Sequence, residues 1–371
     1  MYSENILVKI AKRENNNKRK YLVMNCLQGK HIKTSPQKAF EMFDALGEIL
    51  KKEYMGEKIL VVGFAETATA IGARIAYNLK LDYIQTTREV IDNVEYLFFT
   101  EAHSHATEQK LVKDDIDSVI GNMDRIIFVE DEVTTGNTIL DIINIIDRNY
   151  EDKIKYSVAS ILNGMDKASL EIYENKKINV HYLVKTNHNK YDGIVEKYKS
   201  DGSYIEPDIN DAKEKYTELQ INGGENPRRK VSSKIYNEAC ENLYIKINEK
   251  IKFNLNEKIL VIGTEEAMYQ ALYTGYRLEE NGLNVYSHST TRSPIATDMH
   301  KDYPVHKRYE LISLYDSERK TFIYDLEKYD KVLIITDAVK NADKDYGINS
   351  LVNALSSIGN EKIYVVRWIC N

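Results

Sequence analysis

The sequence predicts two α/β domains, each built on a mainly parallel sheet with helices packed on its faces. Three observations lead there. Short runs rich in Ile and Val alternate with longer helical patterns, the signature of strands joined by crossover helices. The chain is 371 residues long, against about 100–200 residues for an ordinary domain. The strand and turn strings of the first half also recur, in the same order, in the second.

Taken in order, KILVVGF (58–64) is an apolar, β-branched run that meets a glycine, and ETATAIGARIAYNL (66–79) after it has the spacing of an amphipathic helix. RIIFVE (125–130), NTILDIINIID (137–147) and YSVASIL (156–162) continue the alternation of strand and helix. The stretch 186–230 is polar, poor in aliphatic residues and ends in the turn formers GGENP. The expected domains are therefore 1–222 and 223–371. EKILVVG (57–63) returns as EKILVIG (257–263), TTR (86–88) as TTR (290–292), RIIFVED (125–131) as KVLIITD (331–337), and KIKYSVASIL (153–162) as KIYVVRWIC (362–370). Four matches in register imply duplication of one fold.

Composition narrows the function classes. A formal charge of -6, a pI near 5.9 and 43% hydrophobic residues do not suit a nucleic-acid or membrane-surface protein. Cys26, Cys240 and Cys370 form no CxxC pair, so neither a disulfide framework nor a zinc site is expected. The N-terminal stretch lacks the pattern of a secretory signal, and no apolar run reaches the roughly 18 residues of a membrane span. A cytoplasmic location is expected.

The stretch FVEDEVTTGNTIL (128–140) carries the chemistry. An apolar strand runs into Glu130 and Asp131, two costly neighbours at a strand end unless something binds there. Paired carboxylates are acceptors only, and the two O–H donors of a cis-diol are a natural partner. Thr134, Thr135, Gly136, Asn137 and Thr138 follow where the strand gives way to a helix. A glycine there lets successive N–H groups and the helix N-terminus converge on one anion. Diol and phosphate together describe ribose 5-phosphate.

These residues resemble the signature for phosphoribosyl pyrophosphate (PRPP) in type I phosphoribosyltransferases. The resemblance implies that Glu130 and Asp131 hold the ribose hydroxyls and that Thr134 to Thr138 hold the 5-phosphate. GFAETATAIG (63–72) stands where these enzymes place their pyrophosphate loop, which nominates Ala65, Glu66 and Thr67. Arg88 resembles the family's basic residue that reaches pyrophosphate. His103 and His105, in FFTEAHSHATEQKL (98–111), occupy the place of the mobile hood loop of orotate-type members. CLQGKHIKTSP (26–36) is similar to a base-contacting segment of those members, which nominates Lys30 and His31. Thr134 stands where purine-type members have an acid that assists proton transfer, a departure that weighs against purine salvage. The implied cofactor is Mg2+, bound through PRPP rather than by a protein cage.

In the second half, Asp337-Ala338-Val339-Lys340 replaces the Thr-Thr-Gly loop, so PRPP binding is not expected there. HSTTRSPIATDMH (288–300) contains the string for which the TRSP domain is named. That domain follows phosphoribosyltransferase domains in bacterial tellurite-resistance and stress gene clusters. His288, Arg292, Ser293 and Asp337 are its candidate site for a different ligand. The expected activity is transfer of ribose 5-phosphate from PRPP to an unidentified base-like acceptor, with release of pyrophosphate, in the biosynthesis of a nucleotide-like metabolite. A non-catalytic PRPP or nucleotide sensor is the alternative. Expected partners are small molecules, with either a homodimer or an intrachain pseudo-dimer as the assembly.

Overall fold

The structure is a computed structural model that describes residues 2–14, 19–99, 109–150, 154–340 and 345–370. From the N-terminus run α1 (Glu4–Leu7), β1 (Val8–Lys12), β2 (Tyr21–Asn25), α2 (Pro36–Glu53), β3 (Ile59–Gly63), α3 (Thr69–Leu79) and β4 (Asp82–Gln85). Next come β5 (Tyr96–Phe99), β6 (Gln109–Val112), α4 (Lys113–Asp117), β7 (Arg125–Val133), α5 (Asn137–Asn149), β8 (Lys155–Asn163), α6 (Lys167–Asn175), β9 (Asn179–Lys185) and α7 (Tyr191–Val195). β10 (Ser203–Ile205), β11 (Tyr216–Gly224) and β12 (Val231–Ser232) lead to α8 (Ser233–Lys250), β13 (Lys258–Gly263), α9 (Tyr269–Glu280) and β14 (Asn284–Ser289). The chain closes with β15 (Lys307–Ile312), β16 (Lys320–Tyr324), β17 (Lys331–Thr336), α10 (Tyr346–Ser357) and β18 (Ile363–Cys370).

Two compact units result. The first comprises residues 1–2, 41–186 and 225–238, and the second residues 3–40, 187–224 and 239–371. The first unit's sheet has the order β12-β4-β3-β7-β8-β9, parallel except for β12. The second unit's is parallel throughout, in the order β11-β18-β17-β13-β14. β3 and β17 are buried along their whole length, as strands covered on both faces must be, which is why they read as unbroken apolar runs. α5 buries Ile139, Ile142, Ile143 and Ile146, one stripe at helical spacing.

The four central strands repeat, β4-β3-β7-β8 matching β14-β13-β17-β18. Their hydrogen bonds repeat as well. The Thr86 N–H donates to Gly63 O at 2.9 Å, and the Thr290 N–H to Gly263 O at 3.0 Å. The Ala65 N–H donates to Thr86 Oγ1 at 2.8 Å, and the Glu265 N–H to Thr290 Oγ1 at 3.0 Å. The antiparallel pairs β5–β6 and β15–β16 correspond too. At the edge beyond β8 and β18 the two differ. β9 follows β8 in the chain, whereas β11 precedes β13.

The units do not follow the division at residue 222. The β1–β2 hairpin places Ala11, Leu22 and Met24 in one cluster with Ile295, Tyr303, Val305, Phe322 and Tyr324. Thr34, just before α2, forms an antiparallel bridge with Ser287 of β14. In the first unit β12, just before α8, makes the corresponding antiparallel pairing with β4. Each sheet thus pairs at this edge with residues just before a long helix, Thr34 before α2 and β12 before α8. Local patterning carries no information about such pairings.

Met24 is fully buried in that cluster, and Trp368, the one tryptophan of the chain, is buried in β18 of the same unit. Met24→Ala should therefore lower the stability of the unfolding transition seen by Trp368 fluorescence by about 2–4 kcal/mol. A denaturant titration in which that transition does not move would show that residues 3–40 are no part of the second unit's fold.

Candidate active site

In the first unit, Gly63 of β3 lies opposite Val129 of β7. The loops that leave these strands at their carboxyl ends therefore start at one level, where open parallel sheets bind ligands. The first loop, Phe64–Ala68, contains the nominated Ala65, Glu66 and Thr67, and its Ala65–Glu66 peptide is cis. It is pinned from two sides. Thr86 Oγ1 accepts the Ala65 N–H and donates to Gln109 Oε1 at 2.7 Å, while Gln109 Nε2 donates to Ala65 O at 3.1 Å. Arg88 follows two residues after Thr86 and is half-buried.

Glu130 and Asp131 lie near the end of β7, half-buried. Thr67 Oγ1 donates to Asp131 Oδ1 at 2.6 Å, which ties the first loop to the paired acids. Desolvation raises the Asp131 pKa to about 6, against the opposing pull of the Thr67 hydroxyl. Thr134, Thr135 and Gly136 then turn the chain into α5. Gly136 adopts a φ of 76°, open to glycine at little cost, and a Cβ there would stand 2.3 Å from the Tyr173 hydroxyl oxygen. That hydroxyl donates to Gly136 O at 2.7 Å, so α6 holds the loop from behind. Asn137 and Thr138 form the first turn of α5, with the Asn137 N–H 3.4 Å from Thr135 Oγ1.

Sequence reasoning missed two contributors beside this loop. Asn163 ends β8 in register with Val133, is fully buried, and leaves Nδ2 without a partner among the described residues. Lys185, ending β9, donates to Asn163 Oδ1 at 2.6 Å, and burial lowers its pKa. Neither residue belongs to a motif; only strand register brings them to the loop.

His103 and His105 fall outside the described residues. Lys30 and His31 belong to the second unit, because the segment follows the hairpin that packs there. Lys30 is fully buried, with Nζ donating to Glu265 O at 2.8 Å and lying 3.4 Å from Ser289 Oγ. In the second unit's own set, Arg292 pairs with Glu265 and Glu266 at 2.8 and 3.0 Å. Tyr315 links Thr264, at 2.9 Å, to Asp337, at 2.6 Å. His288 is turned away from them. Its Nδ1 accepts the Ser289 N–H at 2.8 Å, which leaves Nε2 to donate to Tyr324 O at 3.0 Å. Burial lowers its pKa to about 4, so it is neutral at physiological pH. Ser293 O accepts from the Tyr324 hydroxyl at 2.6 Å.

A parallel sheet that carries paired acids and a glycine turn at its strand ends suits a domain of the phosphoribosyltransferase class, and the family comparison agrees. Residues 7–188 match the family described as "Phosphoribosyl transferase", and the protein is a phosphoribosyltransferase, one of the glycosyltransferases. Residues 229–355 match the TRSP domain, described as lying C-terminal to that family's domain, so the chain carries the pair in its usual order.

No curated protein matches at a significant level. Among similar solved structures is adenine phosphoribosyltransferase from Rhodothermus marinus, at 15% identity, TM-score 0.37, covering 49% of this chain and 97% of that one. The Giardia lamblia enzyme complexed with 9-deazaadenine shows 14% identity and TM-score 0.37, over 50% and 96% of the two chains. The Trypanosoma brucei enzyme in complex with AMP, pyrophosphate and ribose-5-phosphate shows 16% identity and TM-score 0.36, over 49% and 77%. These likenesses are remote and carry no weight for function.

Because Tyr173 supports the loop through one hydrogen bond, Tyr173→Phe should lower the stability of the first unit by about 1 kcal/mol. Gly136→Ala, which meets both the left-handed backbone and the tyrosine, should cost more, about 1–3 kcal/mol in stability. Thermal unfolding checks the two effects. Wild-type behaviour of Gly136→Ala would contradict the geometry of the loop.

Proposed function

We propose that the first unit binds PRPP and transfers its ribose 5-phosphate to a base-like acceptor whose nucleophilic atom is a nitrogen. In that reaction the bond from C1 to the pyrophosphate oxygen breaks, a bond from C1 to the acceptor nitrogen forms, and the acceptor loses a proton. The observation that carries this reading is the Thr67–Asp131 bond, which joins the pyrophosphate-type loop to the ribose-type acids in one site. Glu130 and Asp131 would accept from the ribose hydroxyls, and the Thr134–Thr138 segment would hold the 5-phosphate. Arg88 would oppose the charge that grows on the departing pyrophosphate, where a planar guanidinium suits phosphate oxygens.

Magnesium suits the donor set. The carboxylates of Glu130 and Asp131 are hard oxygen donors, and the described residues hold no group of three or more His, Cys, Asp and Glu side chains that would form a cage of their own. The ion would sit chiefly on PRPP oxygens and neutralise the leaving group. The protein's own residues hold the sugar, orient the phosphates and keep C1 in line with the acceptor.

The pKa of Asp131 gives a test with a defined sign. Since its folded value is about 6, above the ordinary 3.8, protonation stabilises the fold as pH falls through that window. Ribose binding should do the opposite, because the protonated carboxyl loses its place as a charged acceptor. PRPP affinity should be full above about pH 7 and decline as the pH drops through about 6. The ligand's own titration is common to wild type and Asp131→Asn, so the difference between their profiles isolates this group. Asp131→Asn should also weaken binding by about 1–3 kcal/mol at neutral pH. Identical pH profiles for the two proteins in calorimetry would remove Asp131 from the ribose site.

Arg88→Ala should slow PRPP consumption more than it weakens binding of ribose 5-phosphate, which lacks the pyrophosphate. Equal losses would count against a role on the leaving group. Screening a metabolite extract with labelled PRPP would identify the acceptor.

A further inference from the structure

The second unit repeats the outline of this site but sets its own carboxylates where phosphates would lie. After β13, Glu265 and Glu266 occupy the turn that Ala65 and Glu66 occupy after β3, and Glu265 is completely buried. Arg292 follows β14 as Arg88 follows β4, and its guanidinium is paired with both acids. Arg319, from the turn between β15 and β16, reaches Glu265 Oε2 at 3.2 Å, and Ser313 Oγ donates to Glu265 Oε1 at 2.5 Å. The cations of this turn are thus matched by acids of the chain itself.

The same replacement occurs at the start of the helix. Where Gly136 precedes α5, Asp345 precedes α10, and its carboxylate is paired with Arg367. Arg367 also lies 3.8 Å from Glu218, which holds Lys340 Nζ at 2.8 Å. Burial raises the Asp345 pKa while Arg367 draws it down.

Between the β15–β16 turn and α10 lies a cavity of about 320 Å³, whose lining includes Ser313, Tyr315, Asp316, Lys340, Asp345 and Tyr346. α10 comes close at its first turn, where a Cβ on Gly347 would stand 2.7 Å from Ser313 O. In the first unit the corresponding elements are the β5–β6 pair and the turn at Gly136 that leads into α5. The cavity's chemistry differs. Two of the lining residues, Tyr315 and Tyr346, are aromatic, the side-chain type on which flat ring systems stack. Carboxylate and hydroxyl oxygens can accept from a ligand's O–H and N–H groups. A phosphate ester would bring a like charge beside Asp345 and Asp316, where the lysine and the arginine are already paired.

We propose that the second unit binds an unphosphorylated nucleoside in this cavity, its ring against the tyrosines and its sugar hydroxyls toward the carboxylates. The cavity's place in the fold is read by analogy with the first unit's proposed site, but the ligand class rests on the second unit's own residues. A failure of PRPP turnover is therefore a separate result.

Calorimetry of the full chain with adenosine, guanosine, cytidine and uridine, and with their 5′-monophosphates, tests the proposal. At least one nucleoside should bind about tenfold or more tightly than its monophosphate. Tyr346→Ala should abolish that binding and Tyr346→Phe should keep it, with Trp368 fluorescence unchanged in both. Asp345→Asn should narrow the gap by raising affinity for the monophosphate. Failure of all four nucleosides to bind, tighter binding of the monophosphates, or nucleoside binding indifferent to Tyr346→Ala overturns the proposal.

Discussion

The pairing of β3 with β7, Gly63 opposite Val129, is the constraint on which the first unit's site depends. In a parallel sheet both strands end at the same edge, so their loops leave side by side. One register then decides that Thr67 meets Asp131 and that a loop suited to one part of a ligand borders acids suited to another. The second unit keeps the constraint, with Gly263 opposite Ile335 and Thr264 Oγ1 donating to Thr336 Oγ1 at 2.8 Å.

What the two units do with that edge differs in electrostatics. The first sets Glu130 and Asp131 beside a glycine turn at a helix N-terminus, an end of a helix that favours negative charge. The second satisfies its arginines internally. A buried guanidinium between two carboxylates is tolerated only because each charge is paired, and removal of one partner would strand the other in a poorly solvated place. Such an arrangement is rigid and specific, and it leaves little attraction for a phosphate from outside.

The exchange of segments has its own physical logic. The segments leading into α2 and α8 pair over only one or two residues, and each needs a sheet edge with room for an antiparallel partner. Ser287 of β14 takes Thr34, and β4 takes Val231 and Ser232. The apolar face of the β1–β2 hairpin then covers Ile295, Phe322 and Tyr324, and the hairpin carries Lys30 and His31 into the second unit.

The sequence by itself determined the fold class and the order of the repeated strands, and it singled out Glu130, Asp131 and Thr134 to Thr138 as the candidate ribose-phosphate motif. Those features are local: apolar runs with period, a glycine at a turn, acids at a strand end. Only the tertiary structure decided that Lys30 lies against Glu265, that Tyr173 braces Gly136, that Asn163 and Lys185 meet beside the loop, and that His288 is committed to Tyr324. Each of these joins residues from separate strands or helices, whose meeting depends on sheet register, edge pairing and burial. Side-chain patterning along the chain specifies which face of an element is apolar, but not which partner will cover it.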